Sequence, residues 1–106
     1  MTLEERIKNT VSMAQRAGKI ASGAFAVEKA FQENAVKLLL IAEDAAADSR
    51  DRFQILAEKN HVPNVICMSR ASLGGALGKG LRSAAAILDE GFKKSLLKIT
   101  EEVMKE

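Results

Sequence analysis

The feature that most constrains the fold is the apolar run VKLLLIA, which extends from Val36 to Ala42. It has the length of a strand, but it lacks the regular alternation of polar and apolar residues that marks a half-exposed strand. A run of this kind is typical of a central strand that is covered on both faces. The sequence therefore predicts a sheet that lies between layers of helices.

Helical and strand patterns alternate along the rest of the chain and predict the order α-β-α-β-α-β-α-β-α. The predicted N-caps are Thr2 with Glu5 in a capping box, Ser22 with Gly23 in the first turn, Asp48 or Ser49, Ser69 or Ser72, and Asp89. The predicted strands lie at Ile20–Ala21, Val36–Ala42, Asn64–Met68 and Ser83–Leu88, and the last helix carries Phe92, Leu96, Ile99 and Val103 inward. Strands joined through helices imply a largely parallel or mixed sheet.

Length and composition place the chain among folded proteins. Its 106 residues suit one domain, predicted to span residues 1–106, and 47% apolar with 28% charged residues is ordinary for a globular chain. The single cysteine, Cys67, cannot form an internal disulfide, and the chain opens with no pattern of a secretory leader. No apolar run is long enough to cross a bilayer. We expect a cytoplasmic protein without a membrane partner.

The charges are unevenly distributed although the net charge is only +2. Residues 6–27 and 69–88 contain seven cations and no acid, so the remaining residues carry a net −5. If the two acid-free segments meet in the fold, they form a basic face backed by an acidic one. Such a face can bind phosphates on a nearly neutral domain. The alternative is chance clustering on a solvated surface.

The glycine-rich segment GGALGKG, residues 74–80, is not a nucleotide-binding phosphate loop. The position five before Gly78 is Leu73 instead of glycine, and Gly80 stands where a serine or threonine would hold magnesium. Helix termination explains these glycines better.

Other candidate centres are also incomplete. His61 and Cys67 suggest neither a metal site nor a nucleophile with its base, and we interpret Cys67 as a buried structural residue. Glu43 and Asp44 follow a strand, as in phosphate-receiving signalling domains, but a second acidic pair is missing. With no Trp or Tyr, an aromatic platform for single-stranded bases is not expected. We therefore predict no enzyme activity, metal, cofactor or small-molecule substrate.

Four stretches give the chain a recognisable pattern: RAGKIASG, AVKLLLIAEDAA, AEKNHVPNVICMSRASLGGALGK and AAAILDEGF. With the order of elements, they resemble the kink-turn-binding ribosomal protein family, most closely its small bacterial YlxQ-like branch. The similarity covers nearly the whole chain. It implies an α/β fold, a three-layer α-β-α sandwich with a mixed four-stranded sheet, and it implies no catalysis.

The resemblance also implies an RNA site in the stretch KIASGAFAVEK, from Lys19 to Lys29. Family members bind sharply bent RNA with tandem sheared G·A pairs through the pattern Gly-x-Asn-Glu-x-x-Lys. Gly23 and Lys29 match this pattern, whereas Phe25 and Ala26 occupy the positions of the guanine-reading Asn and Glu. Neither replacement accepts a guanine hydrogen bond, so the resemblance implies weakened base recognition, and nothing selects Ser22 or Gln32 as a substitute reader.

A second contact implied by the resemblance is the loop before the last strand. Leu81 is the expected apolar contact to an extruded base, and Lys79 and Arg82 are expected on phosphates around Gly80. The predicted RNA-binding residues are then Lys19, Ser22, Gly23, Phe25, Ala26, Lys29, Lys79, Gly80, Leu81 and Arg82.

Two residues keep alternative interpretations. Phe25 is either a hydrophobic staple that packs the turn against the first helix or an exposed ring that stacks on a flipped base. Lys29 is either an RNA contact or a solvated helix residue.

The expected function is binding of structured RNA, including ribosomal RNA, as a bacterial ribonucleoprotein component. The alternative is a protein-interaction module that kept the fold and lost RNA binding, with Phe25 and Leu81 as its apolar contacts.

Overall fold

The computed structural model describes residues 1–105, with side chains described as far as Glu101. Four strands form one mixed sheet in the order β1-β4-β2-β3, in which β2 pairs parallel with β3 and antiparallel with β4, and β1 pairs antiparallel with β4. The elements are α1 (Leu3–Arg16), β1 (Ile20–Ser22), α2 (Ala24–Gln32), β2 (Leu38–Ile41), α3 (Ala47–Lys59), β3 (Asn64–Ile66), α4 (Arg70–Ala76), β4 (Ala84–Ile87) and α5 (Glu90–Lys105). The predicted order of elements is confirmed.

The central strand is covered on both faces, as its apolar run predicts. All four residues of β2 are fully buried, and the large side chains Leu39, Leu40 and Ile41 lie opposite alanines of β4. Large residues beside small ones allow the two neighbouring strands to pack without voids.

Alternate residues of the two inner strands point to different helical layers. Leu38 and Leu40 belong to the core formed with α1, α4 and α5, whereas Leu39 and Ile41 belong to the core formed with α2 and α3. The fold is therefore the predicted three-layer α-β-α sandwich.

Three of the predicted helix caps are confirmed. Thr2 and Glu5 form both hydrogen bonds of the capping box at the start of α1. The Ser69 hydroxyl accepts from the Ser72 N–H at 3.0 Å, and the Asp89 carboxylate accepts from the Phe92 N–H at 3.0 Å.

Two predicted caps are wrong. Ser22 is the last residue of β1 because it pairs with Ala85, and Gly23 is the N-cap of α2. Asp48 and Ser49 lie inside the first turn of α3, since Ala45 is drawn into the core and the helix begins at Ala47.

The third predicted strand is too long. β3 ends at Ile66 instead of Met68, because Met68 has a positive φ of 61° that interrupts an extended strand. The predicted inward position of Val103 lies beyond the residues whose side chains are described. In the described part of the chain, no helix is long and apolar enough to span a membrane.

Candidate nucleic-acid interface

One end of the sheet gathers the turns that the sequence singles out. At this end β1, β2 and β3 finish and β4 begins. The Gly23 N–H donates to the Ala84 carbonyl at 3.4 Å, and the Ala42 N–H donates to the Ser83 carbonyl at 2.8 Å. The start of α2 and the segment before β4 are therefore neighbours although about 60 residues separate them in the sequence.

A groove of about 300 Å³ lies between the start of α2, the start of α3 and the segment before β4. We call it the terminal groove. Its lining residues are Ser22, Gly23, Ala24, Ser49, Phe53, Leu81, Arg82, Ser83 and Ala84. Leu81 is 61% exposed there, as its proposed contact with a base requires.

Gly23 shapes one wall of the terminal groove. Its φ of 88° and ψ of 154° lie in a region that is essentially restricted to glycine. Within the described structure, no side chain caps the helix that starts after it. Backbone N–H groups in the first turn of a helix carry a partial positive charge that favours anions.

Phe25 projects away from the core. Its side chain is 82% exposed, so the hydrophobic-staple interpretation is wrong. The inward face of α2 is formed by Val27, Ala30 and Phe31, and a helical rotation of about 200° separates Phe25 from Val27. Lys29 is exposed and lies one turn beyond Phe25 on the same face.

The segment from Lys79 to Arg82 forms the other wall and packs along α4. The Lys79 N–H donates to the Gly74 carbonyl at 2.8 Å, and the Arg82 N–H donates to the Arg70 carbonyl at 3.2 Å. The approach is close, since a Cβ at Gly74 would lie 1.8 Å from the Gly80 carbonyl oxygen. Lys79 therefore lies about one helical turn of α4 farther from the sheet end than Arg82.

The Arg82 side chain is only partly extended into solvent. Its Nη1 donates to the Leu81 carbonyl at 2.9 Å. Its Nε is buried and has no hydrogen-bond partner among the residues that the structure describes. The guanidinium is thus held next to the exposed side chain of Leu81.

Sequence reasoning missed a pair of residues at this end, Asp44 and Arg70. The Asp44 Oδ1 accepts from the Arg70 backbone N–H at 2.7 Å and lies 3.6 Å from the Arg70 Nε. The backbone hydrogen bond from Arg70, helped by the guanidinium charge, lowers the pKa of Asp44 below its ordinary value. Only the parallel pairing of β2 with β3 brings these two turns together, and the sequence predicted a parallel or mixed sheet without indicating which strands are neighbours.

The charge distribution agrees only partly with expectation. Pairing of β1 with β4 brings the two acid-free segments together. The acidic segment is not behind them, however, because Glu43 and Asp44 are exposed in the turn after β2, and Asp48 is exposed in the first turn of α3, at the same end of the sheet. The basic surface is therefore bordered by acids, and a clean separation into two faces was a wrong expectation.

Lys19 is not part of this groove. Its carbonyl accepts from the Leu88 N–H, beyond the opposite end of β1 from Gly23. A three-residue strand advances about 10 Å, which places the Lys19 backbone away from Gly23. Of the other predicted residues, Ser22, Gly23, Leu81 and Arg82 line the groove. Phe25, Ala26 and Lys29 follow it along α2, and Lys79 and Gly80 precede Leu81 in the chain, but none of these five is a lining residue.

Among the described residues, no cluster of three or more His, Cys, Asp or Glu side chains is placed to hold a metal. Burial raises the pKa of Cys67 to about 12, with smaller contributions from Glu43 and Glu4. The thiol is therefore protonated at neutral pH. The side chain packs against the core of α1, α4 and α5 but is only partly buried, so the prediction of a buried Cys67 is met in part.

Known proteins share this sequence pattern and this fold. The sequence model of the Ribosomal protein L7Ae/L30e/S12e/Gadd45 family matches residues 5–97. The chain is 32% identical over 91 residues to the RNA-binding protein YlxQ of Bacillus subtilis (strain 168), covering 86% of this chain and 91% of that protein.

Two solved structures share the fold. A protein with unknown function from Bacillus halodurans C superposes with a TM-score of 0.85 at 25% identity, over 91% of this chain and 97% of that one. The Giardia lamblia 15.5kD RNA binding protein superposes with a TM-score of 0.75 at 23% identity, over 97% of this chain and 88% of that one. At this identity the second likeness concerns the fold alone.

Proposed function

Because the chain belongs to the Ribosomal protein L7Ae/L30e/S12e/Gadd45 family, we propose that it binds structured RNA, ribosomal RNA included, through the terminal groove. It acts as one domain in the bacterial cytoplasm, without a cofactor, and catalyses no reaction. The relative in Bacillus subtilis is named as an RNA-binding protein, and the chain aligns with 91% of its length.

The observation that carries this proposal is the juxtaposition of two distant segments in one groove. The Gly23 turn and the segment from Leu81 to Ala84 line the same concavity. Cationic and apolar side chains stand beside it, which suits a ligand with both phosphates and base surfaces.

Each wall contributes a different kind of contact. Lys29 and Arg82 neutralise phosphates, and the glycine at position 23 allows an RNA backbone to approach the first turn of α2. Leu81 packs on a base. Arg70 adds a cation that the Asp44 carboxylate holds in place at the start of α4.

This set of contacts favours the RNA backbone over base identity. Phe25 and Ala26 offer no side-chain hydrogen bond to a base edge, and a good base-edge contact provides about 1–3 kcal/mol of discrimination. We therefore propose that selectivity for kink-turns with sheared G·A pairs is weaker than in relatives whose motif retains Asn and Glu.

The test is a binding titration with three RNAs at two salt concentrations. The RNAs are a kink-turn, the same sequence with its G·A pairs changed to Watson–Crick pairs, and an unrelated hairpin of equal length. We expect similar binding to all three and a steep loss of affinity at higher salt, because phosphate contacts release counterions. A failure of all three RNAs to bind contradicts the proposal.

A matched pair of lysine variants locates the site. Lys29→Ala removes an exposed cation beside the terminal groove, and Lys94→Ala removes an exposed cation from α5 in the other helical layer. Lys29→Ala should reduce the slope of log affinity against log salt by about 1, and Lys94→Ala should leave the slope unchanged. If the two variants reduced the slope equally, the RNA would not be bound at the groove.

A second candidate is a protein-interaction module, favoured by the exposure of two large apolar side chains: Leu81, which lines the groove, and Phe25, which follows the lining residue Ala24 in the chain. Such a patch often marks a contact with another protein. In that case charge reversal at Lys19 and Arg82 should leave binding to the protein partner largely intact.

A further inference from the structure

Phe25 has no role in the core. The aromatic side chains of Phe31 and Phe53 are buried, and that of Phe92 packs partly against the core, but the Phe25 ring is 82% exposed. Full burial of a phenylalanine stabilises a fold by about 1.5–3 kcal/mol, so most of that gain is absent at this position. The ring follows Ala24, a lining residue of the terminal groove, at the start of α2.

The position of the ring is fixed by the backbone. Phe25 is the second residue of α2, and the Gly23 turn sets where that helix starts. Phe25, Lys29 and Gln32 share the exposed face of α2, because they follow one another at helical spacing. A ligand that contacts the ring therefore passes close to a cation within one turn of the helix.

We propose, on the basis of the RNA-binding function above, that Phe25 stacks on an unpaired base of the RNA and is a specificity-determining residue. A phenyl ring has no donor or acceptor, so it cannot read the edge of a base. It can stack on the flat face of any base that is not already covered by neighbours in a helix. The preferred ligand is then RNA that presents an unpaired base next to a phosphate, and one ring accommodates one such base.

The chemistry around the ring favours RNA over a protein surface. Lys29 stands on the same face of α2, and Arg82 is held beside Leu81 on the opposite wall. Each of the two exposed apolar side chains, Phe25 and Leu81, is thus accompanied by a cation. This alternation matches a strand of bases and phosphates, whereas an apolar protein surface would leave the cations without counter-charges.

The chain allows a direct optical test, because its sequence contains neither Trp nor Tyr. In Phe25→Trp the indole is the sole strong emitter of the whole protein. Three blunt-ended duplex RNAs serve as probes: one with a single unpaired adenosine, one with an abasic residue at that position, and one that is fully paired there. Stacking should quench the Trp emission at least twofold more strongly with the unpaired adenosine than with the other two RNAs.

An affinity measurement with Phe25→Ala completes the test. Its affinity for the unpaired-adenosine RNA should fall by roughly 5- to 150-fold, the loss expected for one stacked base, while its affinity for the abasic RNA stays unchanged. The matched control is Met13→Ala, which truncates an apolar side chain that is 51% exposed on α1, in the other helical layer. It should alter neither affinity.

The outcomes separate this inference from the function on which it rests. If all three RNAs bind and Phe25→Ala weakens them equally, or the Trp emission does not distinguish them, the stacking role is refuted and RNA binding stands. If the unmodified protein binds none of the RNAs, the proposed function itself fails.

Discussion

The two walls of the terminal groove are built by different means. The segment from Lys79 to Arg82 is attached to α4 by two backbone hydrogen bonds and by the close approach of Gly74 to Gly80. The Gly23 turn has one long hydrogen bond to Ala84, and nothing within the described structure lies within 4 Å of a Cβ built at Gly23. Packing holds the first wall, whereas backbone conformation determines the second.

This difference separates the two uses of glycine in the protein. At Gly74 a side chain is excluded by a neighbouring backbone, and at Gly23 a side chain has space but the φ and ψ angles disfavour it. A side chain added at Gly74 should therefore affect the whole fold. Changes on the second wall should mainly affect the start of α2 and the ligand.

The largest effect is expected from Gly74→Ala. The new Cβ would lie 1.8 Å from the Gly80 carbonyl oxygen, so the backbone of α4 or of the following segment must move. We expect the free energy of unfolding to fall by about 3 kcal/mol, the upper part of the range for overpacked sites. Urea denaturation of the two proteins measures this change.

The neighbouring Gly75→Ala is the matched control. It lies in the same helix, and no atom of the described residues lies within 4 Å of its added Cβ. Replacement of an unstrained helical glycine should stabilise the protein by roughly 0.5–1 kcal/mol. If both variants were equally stable, the packed character of the first wall would be refuted.

A smaller loss of stability is expected from Gly23→Ala. Alanine at a φ of 88° and a ψ of 154° is strained by about 1–3 kcal/mol, and the turn can relax because it is not enclosed. Relaxation shifts the start of α2, so RNA affinity should fall together with the free energy of unfolding. Gly80→Ala, for which the described structure offers open space, should change stability by less than about 0.5 kcal/mol.

The comparison also shows which parts of the molecule the sequence predicts. Strand β2, the order of elements and the caps at Thr2, Ser69 and Asp89 follow from local patterns, because each depends on hydrogen bonds within a few residues or on one apolar run. The Ser22 cap was wrong because pairing with β4 extends the strand through that residue, and pairing is a long-range property.

The site was less predictable for the same reason. Lys19 is only four residues from Gly23, yet strand β1 carries it toward the opposite end of the sheet. Asp44 and Arg70 are 26 residues apart and meet only because β2 and β3 are parallel neighbours. The exposure of Phe25 depends on whether the start of α2 packs back on the molecule, which is a tertiary property, so the sequence left the packed and the exposed interpretation of this ring open.

The smallest effect tests whether the carboxylate of Asp44 supports the packed wall. Its pKa is below the ordinary value of 3.8 because the Arg70 backbone N–H and guanidinium favour the charged form. A lowered folded-state pKa contributes stability that is present above pH 3.8 and is lost as the pH falls below it.

Since the carboxylate is exposed, the change in urea midpoint should be slight. Asp44→Asn should have a lower midpoint than the unmodified protein at pH 7, and the difference between the two midpoints should shrink as the pH falls below 3.8. The Arg70 carbonyl accepts from the Arg82 N–H, so the Arg82 amide reports on the packed wall. With each rate taken relative to its intrinsic value, acid should speed hydrogen exchange of the Arg82 amide more than that of the Gly23 amide. A midpoint difference that stays constant with pH, or equal acceleration at both amides, would show that Asp44 does not hold the packed wall.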